Sequence, residues 1–193
     1  MKILFAHGLA SSGRYKMADS LRILLKPAEV ISPDLPIRPA EALAMLEDIC
    51  TLEEPDLVVG LSLGGFLSQK LKGRKKLLVN PDFHPSELLG TMCGEQKYLS
   101  PRADGATSFM VDETLCLEYR KQEEGQFLGL GPEEIALTTG LFADSDELVH
   151  CGPEFAEHYP GRMITYPGGH LPDYPQIKKY FMPVISRLLS NCQ

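Results

Sequence analysis

Ser62 lies at the centre of Gly60-Leu61-Ser62-Leu63-Gly64, a Gly-x-Ser-x-Gly pentapeptide. A serine hydroxyl attacks a carbonyl carbon only when a neighbouring base takes its proton. His170, in Tyr166-Pro167-Gly168-Gly169-His170, is the preferred base, because two glycines let its loop approach closely. His150 and His158 lie in or beside a polar helical stretch and read as solvated. His84 reads as a turn or pocket-wall residue, and His7 as a brace for its own loop. An imidazole acting as base needs a carboxylate to fix its tautomer and stabilise its cation. The segment 138–149 offers Asp144, Asp146 and Glu147. Asp146 is preferred because Val149, three residues on, would seat the loop. Asp144 stays open as an acid nearer the strand that would otherwise cap a turn, and Glu147 is expected to be solvated. The oxyanion formed by attack requires N–H donors. Leu63, after the nucleophile, and Leu9, in the loop His7-Gly8-Leu9-Ala10-Ser11-Ser12-Gly13, are the candidates. Ser11 and Ser12 are read as helix caps or pocket residues.

These groups need a scaffold that brings their loops to one edge. Short apolar runs at 3–6, 28–32, 57–59, 77–79, 135–141 and 163–166 predict six strands. Helical spacing predicts helices over 17–26, 39–50, 64–71 and 174–189, the last kinked at Pro183. Strands buried on both faces and separated by helices imply βαβ units and a mostly parallel sheet. The pentapeptide then occupies a strand–turn–helix bend. A glycine-rich βα turn of any α/β protein is the plainer reading of the same residues. The stretch 91–133 breaks the rhythm and reads as an insertion over the C-terminal edge of the sheet, or as an extra surface helix over 112–123. Phe66, Phe83, Met92 and Phe109 are apolar candidates for an acyl pocket, although such residues are more often core.

The whole composition is compatible with this reading. The chain has 193 residues, enough for one domain over 1–193. With 44% hydrophobic and 23% charged residues it is an ordinary globule. A net charge of −7 disfavours nucleic-acid partners and anionic membranes. No apolar run is long enough for a transmembrane helix, and the first residues read as a strand rather than a signal peptide. Five scattered cysteines (Cys50, Cys93, Cys116, Cys151 and Cys192) form no Cys-x-x-Cys pair, which argues against a zinc site and suits a reducing cytoplasm.

The chain resembles the α/β-hydrolase superfamily, and within it the small bacterial YqiA-type esterases. The resemblance rests on His7-Gly8 with Ser11-Ser12 after the opening strand and on Gly60-x-Ser62-x-Gly64-Gly65. It continues through Asn80-Pro81, Pro85-x-Glu87-Leu88-Leu89, Asp146-Glu147 and Gly168-Gly169 before His170. Leu61 stands before the serine where the family favours a serine, which alters the pocket wall. The resemblance implies a single three-layer domain with a minimal six-stranded sheet, the first strand between the second and third, and a short lid-like insertion at about 91–133. It implies Ser62, His170 and Asp146 as a triad, Leu9 and Leu63 as oxyanion donors, and hydrolysis of short acyl esters. The expected partner is a small-molecule ester, and neither metal nor organic cofactor is called for.

Overall fold

Side-chain alternation along the first strand divides the molecule into two sides. In β1 (Lys2–Ala6), Leu4 and Ala6 face one core, whereas Ile3 and Phe5 face another. The computed structural model describes residues 1–190, so Cys192 lies outside the described residues. After β1 come α1 (Lys16–Leu24), β2 (Glu29–Ile31), α2 (Pro39–Glu53), β3 (Leu57–Leu61), α3 (Leu63–Gln69) and β4 (Lys76–Val79). A long excursion follows: α4 (Pro85–Thr91), β5 (Gly94–Lys97), β6 (Ser108–Val111) and α5 (Glu113–Glu123). The chain then returns through α6 (Pro132–Leu137), β7 (Thr138–Ala143), α7 (Gly152–His158), β8 (Met163–Tyr166), α8 (Tyr174–Gln176) and α9 (Met182–Ser190).

Six strands form one sheet in the order β2-β1-β3-β4-β7-β8, and every pairing in it is parallel. As expected, β1 lies between β2 and β3. Helices α2, α3, α5 and α7 cover one face through Leu46, Phe66, Tyr119 and Phe155. Helices α1 and α9 cover the other through Leu21 and Ile185. The result is a three-layer α/β domain in which all six strands end on one edge.

The structure corrects three expectations. The fifth sheet strand starts at Thr138 rather than residue 135, because Ile135 belongs to α6. Pro132 at the helix start, followed by Glu133 and Glu134 in the first turn, nucleates a helix that its apolar residues alone do not announce. The stretch 91–133 carries the helix α5 but also an antiparallel hairpin, β5 with β6. Finally, the C-terminal helix does not simply kink at Pro183. It widens into a π turn over Ile177–Phe181, in which the Met182 N–H donates to the Ile177 carbonyl five residues back. Pro183, which has no N–H to give, enters the helix immediately after this turn.

Close packing of α3 against the end of β1 leaves no room for a side chain at Gly64. A Cβ there would overlap the Ala6 carbonyl and lie 2.6 Å from the His7 carbonyl oxygen. Gly90, in α4, has open space around it. Gly64→Ala should therefore cost about 3 kcal/mol or prevent folding, because backbone must move. Gly90→Ala should be neutral or stabilise by about 0.5–1 kcal/mol. Urea unfolding curves of the two variants check both signs.

Candidate active site

Ser62 occupies the bend between β3 and α3 with φ 54° and ψ −118°, a backbone conformation that side chains rarely adopt. The bend is secured on both sides. The Ser62 N–H donates to the Val79 carbonyl at 3.0 Å. Its carbonyl accepts from Gly65 at 2.8 Å, Phe66 at 3.1 Å and Asp82 at 3.2 Å. Any Cβ at Gly60 would meet the Gly64 carbonyl oxygen, and one at Gly65 would lie 2.9 Å from Pro81. The pentapeptide's glycines are thus required by contact, and the serine hydroxyl is left at the C-terminal edge of the sheet.

His170 follows β8 on the Gly168-Gly169 loop, and its ring is 5% exposed. Its Nε2 lies 2.9 Å from Ser62 Oγ, and its Nδ1 lies 2.8 Å from Asp146 Oδ2. The other Asp146 oxygen, Oδ1, accepts from the main-chain N–H groups of Leu148 and Val149, each at 2.9 Å. Burial alone would raise the Asp146 carboxyl. The His170 hydrogen bond and the two main-chain donors outweigh it and hold this carboxyl below the usual aspartate range. Asp144 does not reach the imidazole. It accepts instead from Gly168 N–H at 3.2 Å and from the Ser145 hydroxyl at 2.9 Å. Glu147, expected in solvent, is exposed but accepts from the His170 main-chain N–H at 3.3 Å.

The loop after β1 lies over this bend. A Cβ at Gly8 would be only 3.4 Å from Ser62 Cβ. Leu9 and Ser11 line the cleft beside Ser62. Leu63 opens α3, and the first intrahelical donors are Gly65 and Phe66, so its N–H is not spent within the helix. Ser12 caps no helix; it accepts from Arg14 N–H at 3.1 Å. His7 braces the loop. Its Nε2 accepts from Leu35 N–H at 2.9 Å, so the proton sits on Nδ1, which donates to the Gly8 carbonyl at 2.8 Å.

Around Ser62 opens a cleft of about 270 Å³, walled largely by Leu61, Leu88, Met92, Leu99, Leu148 and Leu171. Among the described residues, no titratable group other than His170 and the Tyr15 phenol lines it. Of the four predicted acyl-pocket residues only Met92 is there; Phe66, Phe83 and Phe109 are core. The leucines escaped sequence reading because they come from the end of β3, from α4 and from three separate loops, with no shared periodicity to mark them. The remaining histidines are elsewhere: His84 pairs with Glu154 at 2.8 Å, and His158 stacks on Phe127. His150 borders a separate depression beside Asp146. Among the described residues no group of His, Cys, Asp and Glu has metal-binding geometry, and no helix is long and apolar enough to cross a membrane.

Strand order, the serine bend and the loops gathered at the C-terminal edge define an α/β-hydrolase fold. The fold is shared with alpha/beta hydrolase domain-containing protein 10 from mouse, at TM-score 0.63 and 13% identity, covering 100% of this chain and 90% of that one. A methylesterase from Arabidopsis matches at TM-score 0.62 and 13% identity, covering 97% of this chain and 99% of that one. A pyrethroid hydrolase from Sphingobium faniae JZ-2 matches at TM-score 0.62 and 15% identity, covering 100% and 98%. No curated protein sequence matches the chain. The chain belongs to the uncharacterised protein family UPF0227, whose profile matches residues 2–130. That match includes Ser62 and ends before Asp146 and His170.

The His7 geometry predicts a stability change with pH. Burial, which strips the charged ring of its hydration, pushes its pKa down from 6.5 to about 4. Below pH 6.5 the unfolded chain takes up a proton that the folded chain refuses, so stability falls until about pH 4 and then levels. At 1.36 kcal/mol per pH unit this loss is on the order of 3 kcal/mol. Denaturant titrations at pH 7 and pH 4 should show a drop smaller by that amount in His7→Gln.

Proposed function

We propose that this protein is a serine hydrolase that cleaves short-chain carboxylic esters. The observation that carries the reading is the continuous hydrogen-bonded line Asp146–His170–Ser62, at 2.8 and 2.9 Å, ending in an apolar cleft. The ester seats its acyl group against the leucine walls with its carbonyl carbon above Ser62 Oγ. His170 Nε2 takes the hydroxyl proton as Oγ attacks. Asp146 holds the ring in the Nδ1–H tautomer and stabilises the imidazolium. The N–H groups of Leu9 and Leu63 receive the oxyanion. The tetrahedral adduct collapses as the imidazolium protonates the departing alkoxide, leaving an acyl ester on Ser62. Water, deprotonated by the same imidazole, then releases the carboxylic acid and restores the serine.

The lining supports an uncharged substrate. Among the described residues it contains no lysine or arginine to meet an acidic acyl group or a phosphate. Two of the proteins sharing the fold are a methylesterase and a pyrethroid hydrolase. The reaction calls on protein groups alone, with the ester as partner, and we place it in the cytoplasm. A thioesterase or amide hydrolase would use the same residues, and matched oxygen and sulfur esters separate these readings. A binding protein that keeps the fold without turnover would leave Ser62 unlabelled by a fluorophosphonate.

On a p-nitrophenyl ester series from acetate upward, turnover should be measurable and fastest on short chains. Ser62→Ala should lower kcat by about 10⁴-fold or more. Asp146→Asn should cost about 10⁴-fold by leaving the imidazole in the wrong tautomer. Asp144→Asn should cost far less. A larger loss in Asp144→Asn than in Asp146→Asn would reverse the assignment of the acid.

A further inference from the structure

Asn80 follows β4, the strand paired with the one that leads to Ser62. It is 1% exposed and sits at φ 41°. Both ends of its side-chain amide are engaged. Oδ1 accepts from Ala143 N–H at 2.7 Å, at the end of β7 where the loop bearing Asp146 begins. Nδ2 donates to the His170 carbonyl at 2.8 Å and to the Tyr166 hydroxyl at 3.1 Å. The Asn80 main-chain N–H donates to the Leu141 carbonyl at 3.0 Å. One rigid planar group therefore joins the root of the acid-bearing loop to the histidine itself. None of these bonds is required by a Ser-His-Asp line as such.

We infer that Asn80 is a positioning residue that sets the separation of His170 from Asp146. The inference rests on the esterase reading for its kinetic consequence, though not for its geometry. Asp146 and His170 arrive on separate loops, one of them hinged on two glycines. The loops also meet directly, through Gly168 N–H with Asp144, Ser145 N–H with the Gly168 carbonyl and His170 N–H with Glu147, but Asp144, Ser145 and Glu147 are all exposed, so water competes for these groups. The Asn80 bond to His170 is buried, so water does not replace it when it is lost. Without the amide, the Ala143 N–H and the His170 carbonyl lose their common partner. The two loops are then joined less tightly, and the imidazolium loses part of its stabilisation by Asp146.

Asn80→Gly tests this, because glycine accepts the positive φ and removes the side chain with its amide. Asn80→Asp is the second variant: it keeps the size and the acceptor for Ala143 but sets an oxygen against the His170 carbonyl. Leu188→Ala, on α9 beneath the opposite face, is the stability control. In Asn80→Gly, kcat on p-nitrophenyl butyrate should fall about 10²-fold with KM nearly unchanged. The acid limb of its kcat–pH profile should move to lower pH, as the base becomes weaker. The downfield proton resonance of the His170 Nδ1–H, assigned by its loss in His170→Gln, should broaden or vanish. Leu188→Ala should lower Tm and move none of these readings. The inference is overturned if Asn80→Gly keeps its kcat, or loses activity only as Tm falls while the pH limb and the resonance stay in place. If Asn80→Gly does not fold, the same readings on Asn80→Asp decide. If the wild-type protein hydrolyses no ester, the functional reading fails, and the resonance alone decides the role of Asn80.

Discussion

A left-handed backbone angle at a residue with a side chain is the constraint from which the rest of the site follows. Such a conformation costs on the order of 1–3 kcal/mol and persists only where its surroundings over-determine it. At Ser62 they do so through hydrogen bonds, with one carbonyl taking three N–H donors from Gly65, Phe66 and Asp82. They also do so through contact, because α3 starts so near β1 and β3 that Gly60 and Gly64 admit no Cβ. The first strand must end at Ala6 for its following loop to fold over the bend. The fourth must end at Val79 for Pro81 and Asp82 to close it from the other side. Two neighbouring strands are thus held in register by the needs of one serine between them.

The parts of this arrangement visible in the sequence are those written in contiguous residues. The Gly-x-Ser-x-Gly pentapeptide announces the bend, because the close contacts it satisfies involve its own glycines. Six strands show themselves as apolar runs, since a parallel sheet buries both faces. The chain order of Ser62, Asp146 and His170 follows from which strands precede them. What stayed hidden depends on which loops become neighbours. The cleft leucines, the Glu147 contact with the His170 main chain and the double grip of Asn80 are all properties of residues far apart in the chain. The boundary at Thr138 is hidden for a different reason. Ile135-Ala136-Leu137 is equally compatible with a helix or a strand, and the helix start signal at Pro132-Glu133-Glu134 decides it. The π turn was concealed because a proline in a helical pattern states that a bond is missing, not how the backbone absorbs the loss.

The excursion between β4 and β7 is more integral to the domain than its irregular sequence suggests. Phe109, Val111, Leu115 and Tyr119 join the core beneath α2 and α3. The Tyr119 hydroxyl donates to the Ile37 carbonyl at 2.9 Å. Leu99 N–H donates to the Ala10 carbonyl at 2.7 Å, and Arg102 stacks on Tyr98 while reaching the Leu35 carbonyl at 3.2 Å. The segment that supplies Met92 and Leu99 to the cleft is therefore also fastened to the loop bearing Leu9. Shape of the cleft and placement of that loop are set by one connected piece of structure.

The separation of 108 positions between Ser62 and His170 has a consequence for the chain as it is made. β8 forms the outer edge of the sheet and pairs only with β7, so it completes the sheet from one side. Until it docks, Ser62 has no imidazole beside it, and its hydroxyl is no more nucleophilic than any other alcohol. Synthesis runs from the N-terminus, so Ser62 emerges long before His170. Under the proposed hydrolase chemistry the unfinished chain is silent in the crowded surroundings of the ribosome, and reactivity comes only with closure of the last edge.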